Sequence, residues 1–172
     1  MSMNMKRWEQ LYVELERKAE KIGYDPPTQI GSDNSQTFEY RINNKPALLI
    51  AFRDLGLKPG YRRPDRLWAE GLDLIFERYL EIIKQTPGQF PPAIAIVIDN
   101  IGGSYVIVPM NDLIELYRAR MKTSRGIRKF TFVVERRDNG YFLVMPHDLP
   151  AKPLIHIDNM ASVVSLLKSL RK

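Results

Sequence analysis

The sequence predicts a mixed α/β domain, a β-sheet flanked by helices, on three observations. Apolar residues recur at intervals of three and four over 6–22, 65–84 and 158–172, the spacing of one helical face. Short β-rich runs bounded by turn residues lie between these stretches. One run, Ala47-Leu48-Leu49-Ile50-Ala51-Phe52, does not alternate with polar residues, as expected of a central strand buried on both faces. The 172 residues, 44% hydrophobic and 27% charged, suit a single domain over 1–172.

The first helix is predicted over Lys6 to Ile22, with Trp8, Leu11, Tyr12, Leu15, Ala19 and Ile22 on one stripe. Gly23 ends it and Pro26-Pro27 keeps it from resuming. Thr37 to Ile42 and Pro46 to Phe52 read as strands joined by a tight turn at Asn43-Asn44. A second helix is predicted from Asp65, placed as N-cap, to Lys84, aligning Trp68, Leu72, Ile75, Phe76, Tyr79 and Ile83. Two units then follow, Ile94 to Leu113 and Phe130 to Leu149, which align without gaps at an offset of 36. Each reads as a hairpin whose second run starts at Tyr105 or Tyr141. With five of twenty positions identical, shared hairpin pattern explains them more simply than duplication. Asn111 or Asp112 is placed to cap a helix through Leu116 and Tyr117, and Asp158 to cap a last helix striped by Met160, Val163, Val164, Leu167 and Leu170.

Composition excludes several classes. With no cysteine, disulfides, thiolate nucleophiles and cysteine-bound zinc or iron–sulfur sites are out. The two histidines, His147 and His156, leave little for imidazole chemistry and are assigned local hydrogen bonding. Gly102-Gly103 makes a turn and does not match a phosphate-binding loop. The start of the chain has no signal-peptide core, and no run approaches the roughly 18 apolar residues of a membrane span. A cytoplasmic protein without a membrane partner is the expectation.

Charge is the most localised signal. Arg118, Arg120, Lys122, Arg125, Arg128 and Lys129 fall within twelve positions that hold no acid, and the other 20 bases balance the chain's 20 acids. Such a segment suits a phosphate backbone, with Thr123 and Ser124 as further donors and Gly126 permitting close approach. Cations at a helix C-terminus also offset the macrodipole, but six exceed what capping needs. Arg62 and Arg63, in a Gly- and Pro-rich loop, are placed as an extension of this nucleic-acid-binding surface. DNA is favoured over RNA as partner.

The stretch from Glu39 through Arg53, a helix holding Trp68-Ala69-Glu70 and Tyr79, and the runs Ile94 to Asp99 and Tyr105 to Val108 together resemble the core of the PD-(D/E)xK restriction-endonuclease-like superfamily. In layout they are most similar to the nuclease domains of type I restriction enzymes. The resemblance covers about Lys6 to Val108 and is one of pattern. It implies a restriction-endonuclease-like fold, nucleic-acid binding and Mg²⁺-dependent phosphodiester hydrolysis. Residue by residue it implies Glu39 as a catalytic metal ligand, Asp54 or Glu70 as the further acid on the metal, and Arg53 steadying the phosphate. The chain departs from the pattern, with Glu39 where the family has an aspartate and Ala51-Phe52-Arg53 in place of Glu-x-Lys. Arginine does not readily release a proton, so the implied nuclease site is degenerate. In a second register Asp99 pairs with Glu135-Arg136-Arg137, though both acids sit beside hairpin turns where polar residues are ordinary. The alternative to nucleic-acid binding is a non-enzymatic protein–protein interaction or self-association module, with a homodimer seam on the last helix.

Overall fold

The computed structural model describes residues 7–31, 35–57, 66–70, 72–99, 103–121, 131–138, 140–146 and 148–170. In chain order these form α1 (Arg7–Ile22), β1 (Thr28–Gln29), β2 (Thr37–Ile42), β3 (Lys45–Asp54), β4 (Gly56–Leu57), β5 (Arg66–Glu70), α2 (Asp73–Gln85), β6 (Ala93–Ile98), β7 (Tyr105–Pro109), α3 (Met110–Met121), β8 (Thr131–Arg137), β9 (Gly140–Leu143), β10 (Lys152–Ile157) and α4 (Met160–Leu170). The predicted mixed sheet with flanking helices is present.

The β2–β3 hairpin forms as its residues dictate. Asn43 and Asn44 hold φ of 51° and 66°, the left-handed pair that a two-residue turn needs and that asparagine tolerates better than most side chains. The apolar run of β3 lies between β2 and β6 and is buried from Leu48 to Phe52. Its pairing with β6 is parallel; the other pairings are antiparallel.

The sheet runs in the order β1-β2-β3-β6-β7-β10-β9-β8-β5-β4. It curls back on itself, because β4 follows β3 after the single residue Leu55, so both ends of the arc from β3 to β4 belong to one chain segment. Strand β10 turns the corner: Ile155–Ile157 pair with β7 and Lys152–Leu154 with β9. The curl encloses one core, in which inward side chains of two helices meet alternate strand residues. Ile75 and Ile82 of α2 and Leu113 and Leu116 of α3 pack there with Ala95, Val108, Phe132, Val134 and Leu143. On the other face α1 and α4 cover Tyr40, Leu48, Ile50, Phe52 and Ile96 with Leu11, Leu15, Ala19 and Val163. Leu15 is fully buried there, so Leu15→Ala is expected to cost about 2–5 kcal/mol.

Three expectations are corrected. The helix predicted from Asp65 begins only at Asp73; Arg66–Glu70 is instead a strand, paired along its length with β8, so tertiary pairing overrides the helical spacing of Trp68 and Leu72. Asp65 lies outside the described residues. Strand β10, absent from the predicted order, supplies the corner of the sheet. Asp158 does not cap α4: it accepts a 2.8 Å hydrogen bond from Ser104, and Asn159 caps the helix by accepting from the Ser162 amide at 2.8 Å.

Candidate functional site

The residues singled out from the sequence fall into three places. Glu39 sits on β2 opposite Leu49, so it faces the enclosed core, and its side chain is 2% exposed. Both carboxylate oxygens are engaged. Arg78, reaching from α2, donates from Nε to Oε1 at 2.5 Å and from Nη2 to Oε2 at 3.3 Å, and Arg41 donates from Nε to Oε2 at 2.5 Å. Burial alone raises the Glu39 pKa, but hydrogen bonds and charge from Arg78 and Arg41 outweigh it and hold the carboxyl below the ordinary glutamate value. The same bond raises Arg78. Glu39 is therefore an ionised carboxylate locked between two guanidinium groups.

Arg53 and Asp54 lie further along β3. Arg53 is four residues past Leu49, about 13 Å along the sheet at ~3.3 Å per residue, and shares the face of Glu39. It is half-buried, donates from Nη1 to the Phe52 carbonyl at 2.7 Å, and is pulled down by burial against the opposing charge of Asp73. Asp54, one residue on, points to the opposite face by strand alternation and is exposed. The structure thus does not bring Glu39 and Asp54 together. Glu70 falls in β5, paired with Thr131 of β8. The Glu39 carboxylate and Asp54 do not fit a shared magnesium ion, since one is saturated by arginine and the other is on the far side of the strand. Among the described residues no group of three or more His, Asp or Glu side chains is arranged to hold a metal.

Asp99 closes the end of β6 and is 1% exposed. Its Oδ2 accepts from Arg136 Nη1 at 2.9 Å and from the Tyr141 hydroxyl at 2.7 Å. Alternation along β8 turns Arg136 inward and Glu135 outward, where Glu135 pairs with Arg66 at 3.4 Å and Arg137 at 3.2 Å. The second register, Asp99 with Glu135, is therefore not assembled either. What Asp99 does instead is tie the β6–β7 turn to the β8–β9 hairpin. Burial, then the bond to Asp99, raises the Tyr141 pKa. Arg7 adds α1 to the same end, donating to the Gly103 carbonyl at 2.9 Å and lying 5.0 Å over the Tyr105 ring.

Of the basic segment, Arg118 and Arg120 lie on α3, with Arg118 exposed. Lys122, Arg125, Arg128 and Lys129, like Arg62 and Arg63, lie outside the described residues. His147 does as well. His156 is exposed on β10 with its ring 5.3 Å from Tyr141, a packing contact.

Two side chains that organise these places were not singled out as site residues. Arg78 follows Ile75 by three and precedes Ile82 by four, a spacing that puts it on the inward stripe of α2 and could have flagged it. Ser104 carries no comparable signal, since its bond to Asp158 spans 54 positions. Comparison with protein-family models, with curated proteins and with solved structures finds no match to this chain. No helix among the described residues is long and apolar enough to cross a membrane.

Proposed function

We propose that this protein binds nucleic acid, DNA in preference to RNA, through the acid-free segment from Arg118 to Lys129, and that its restriction-endonuclease-like sheet serves as a scaffold with a degenerate nuclease site. The observation that carries this reading is the charge distribution: all of the formal surplus of +6 lies in those twelve residues. The exposed Arg118 on α3 is consistent with it. The arginine-saturated Glu39 supports a scaffold role for the sheet, because a carboxylate committed to Arg78 and Arg41 is poorly suited to bind a metal. The test is fluorescence anisotropy of a labelled duplex at several salt concentrations, with Arg125→Ala/Arg128→Ala/Lys129→Ala in parallel. Affinity falling steeply with log salt, and a slope reduced by roughly two to three in the variant, is expected. Undetectable binding at low salt would overturn the reading.

One observation favours self-association as a second reading. On β10 Ile155 is 61% exposed, and Pro153, two residues earlier on the same face of the strand, is exposed beside it. Sedimentation of the full chain against Ile155→Asp separates a dimer from a monomer.

A further inference from the structure

Strands β5, β8, β9 and β10 have a second face, turned away from the enclosed core. Leu67, Val134, Tyr141 and Leu154 point into that core, so the residues that alternate with them point outward. Register sets four of these in a row across the strands: Pro153 opposite Phe142, Phe142 opposite Glu135, and Glu135 opposite Arg66. Three gaps of ~4.8 Å make the row about 14 Å long. Arg137 and Ile155 lie two residues along from Glu135 and Pro153, on the same face. Helices α1 and α4 cover the outer side of β2, β3, β6 and β7. Among the described residues Phe142, Pro153 and Ile155 belong to neither core.

The charges on this face are unequally exposed. Arg66 and Arg137 both pair with Glu135, at 3.4 and 3.2 Å, yet the arginine side chains are 33% and 47% exposed and the glutamate 14%. The acid lies beneath the guanidinium groups, so solvent meets cations. Arg137 also sits 4.5 Å over the Phe142 ring, and both groups are ones on which bases stack. Beside them Ile155 and Pro153 leave apolar surface in water. A duplex keeps its bases stacked inside and would bring only phosphates here, leaving that apolar surface uncovered. A single strand brings phosphates and bare bases together. A second copy of the face would set its own exposed arginines against these, with each glutamate already covered, a like-charge contact.

We propose that this open sheet face binds single-stranded DNA, its bases against Phe142, Arg137 and the ridge of Pro153 and Ile155, and its phosphates on the guanidinium groups of Arg66 and Arg137. The proposal rests on the nucleic-acid reading and adds a second surface to it. The segment from Arg118 to Lys129 attracts phosphates of either form, and the sheet face selects the unpaired strand.

The test is fluorescence anisotropy of the full chain with a labelled oligothymidylate of about 12 nucleotides and, separately, with a labelled duplex of the same length, in wild type, Phe142→Ala, Arg137→Gln and Ile155→Ser. Phe142→Ala should weaken oligothymidylate binding about fivefold or more. Arg137→Gln should lower the slope of log affinity against log salt for that probe by about 0.7. Duplex affinity should stay unchanged in Phe142→Ala and Ile155→Ser. Ile155→Ser, at an exposed position, should weaken single-strand binding without unfolding the chain and serves if Phe142→Ala perturbs the sheet. If wild type binds both probes and no variant alters the affinity for oligothymidylate, the sheet-face proposal falls and the nucleic-acid reading stands. If neither probe binds at low salt, both fall. Sedimentation showing a dimer that Phe142→Ala and Ile155→Ser dissociate would give the face to a second copy and overturn the proposal.

Discussion

Glu39 and Arg78, thirty-nine positions apart, are joined inside the fold by two hydrogen bonds, Nε to Oε1 at 2.5 Å and Nη2 to Oε2 at 3.3 Å. The pair fastens α2 to β2 across the enclosed core. Because Glu39 is 2% and Arg78 19% exposed at the side chain, removing Arg78 leaves a carboxylate out of water with Arg41 as its one remaining guanidinium among the described residues. Arg78→Ala is expected to cost about 3 kcal/mol in urea unfolding. The double variant Glu39→Leu/Arg78→Met should recover most of that loss. A cost for Arg78→Ala under about 1 kcal/mol would show a pair no stronger than an exposed surface bridge.

The same pair makes stability depend on acid. The Glu39 pKa is lower in the folded chain than its ordinary value of 4.5, so its contribution is fully present above that value and is lost as pH falls through the folded value. Unfolding free energy measured from neutral pH down should decline in wild type below about pH 4.5. In Glu39→Gln the decline over that window should be shallower, since the group that takes up the proton is gone. Parallel curves would exclude Glu39 as a source of acid lability.

Much of the fold was legible because local rules agreed with the global one. The β2–β3 hairpin, the two-sided burial of β3, the helix closed by Gly23 and both later hairpins follow from periodicity and turn chemistry in Asn43-Asn44 and in the runs at Tyr105 and Tyr141. Strand β5 was hidden because Arg66–Glu70 runs into α2 with helical spacing, and it is pairing with β4 and, along its whole length, with β8 more than sixty positions later that makes it a strand. The site was less legible for the same reason. Nothing local tells that Glu39 meets Arg78 or that Asp99 meets Arg136 and Tyr141, since sequence shows residue type and curl decides proximity.

The turn at Asn43-Asn44 offers a direct check on backbone chemistry. Asn44 has φ of 66°, and its amide donates to the Asp25 carboxylate at 3.1 Å. Asn44→Gly should leave stability unchanged or slightly raised, because glycine takes this conformation without steric cost. Asn44→Val should lose about 1–2 kcal/mol, the penalty of a left-handed residue bearing a branched side chain. Thermal unfolding of the two variants side by side distinguishes them.

Asp99 gives the last prediction. Its Oδ2 holds two donors, Arg136 and Tyr141, that tie the β6–β7 turn to the β8–β9 hairpin. Tyr141→Phe keeps the ring but removes one donor from a carboxylate that is 1% exposed, a loss expected to cost about 1–3 kcal/mol. The Tyr141 pKa is raised in the fold, by burial first and by Asp99 second. For this acid the neutral form is the one the fold favours, so its contribution is complete below the ordinary value of 10.0 and is lost as pH rises through the folded value. Alkaline unfolding should therefore begin at lower pH and from lower stability once the contact between the hairpins is weakened by Asp99→Asn, while the loss specific to phenol ionisation should be absent in Tyr141→Phe. Hydrogen exchange at the Ser104 and Tyr141 amides should quicken in both variants before it does in β3, because the curl opens at the tie that was cut.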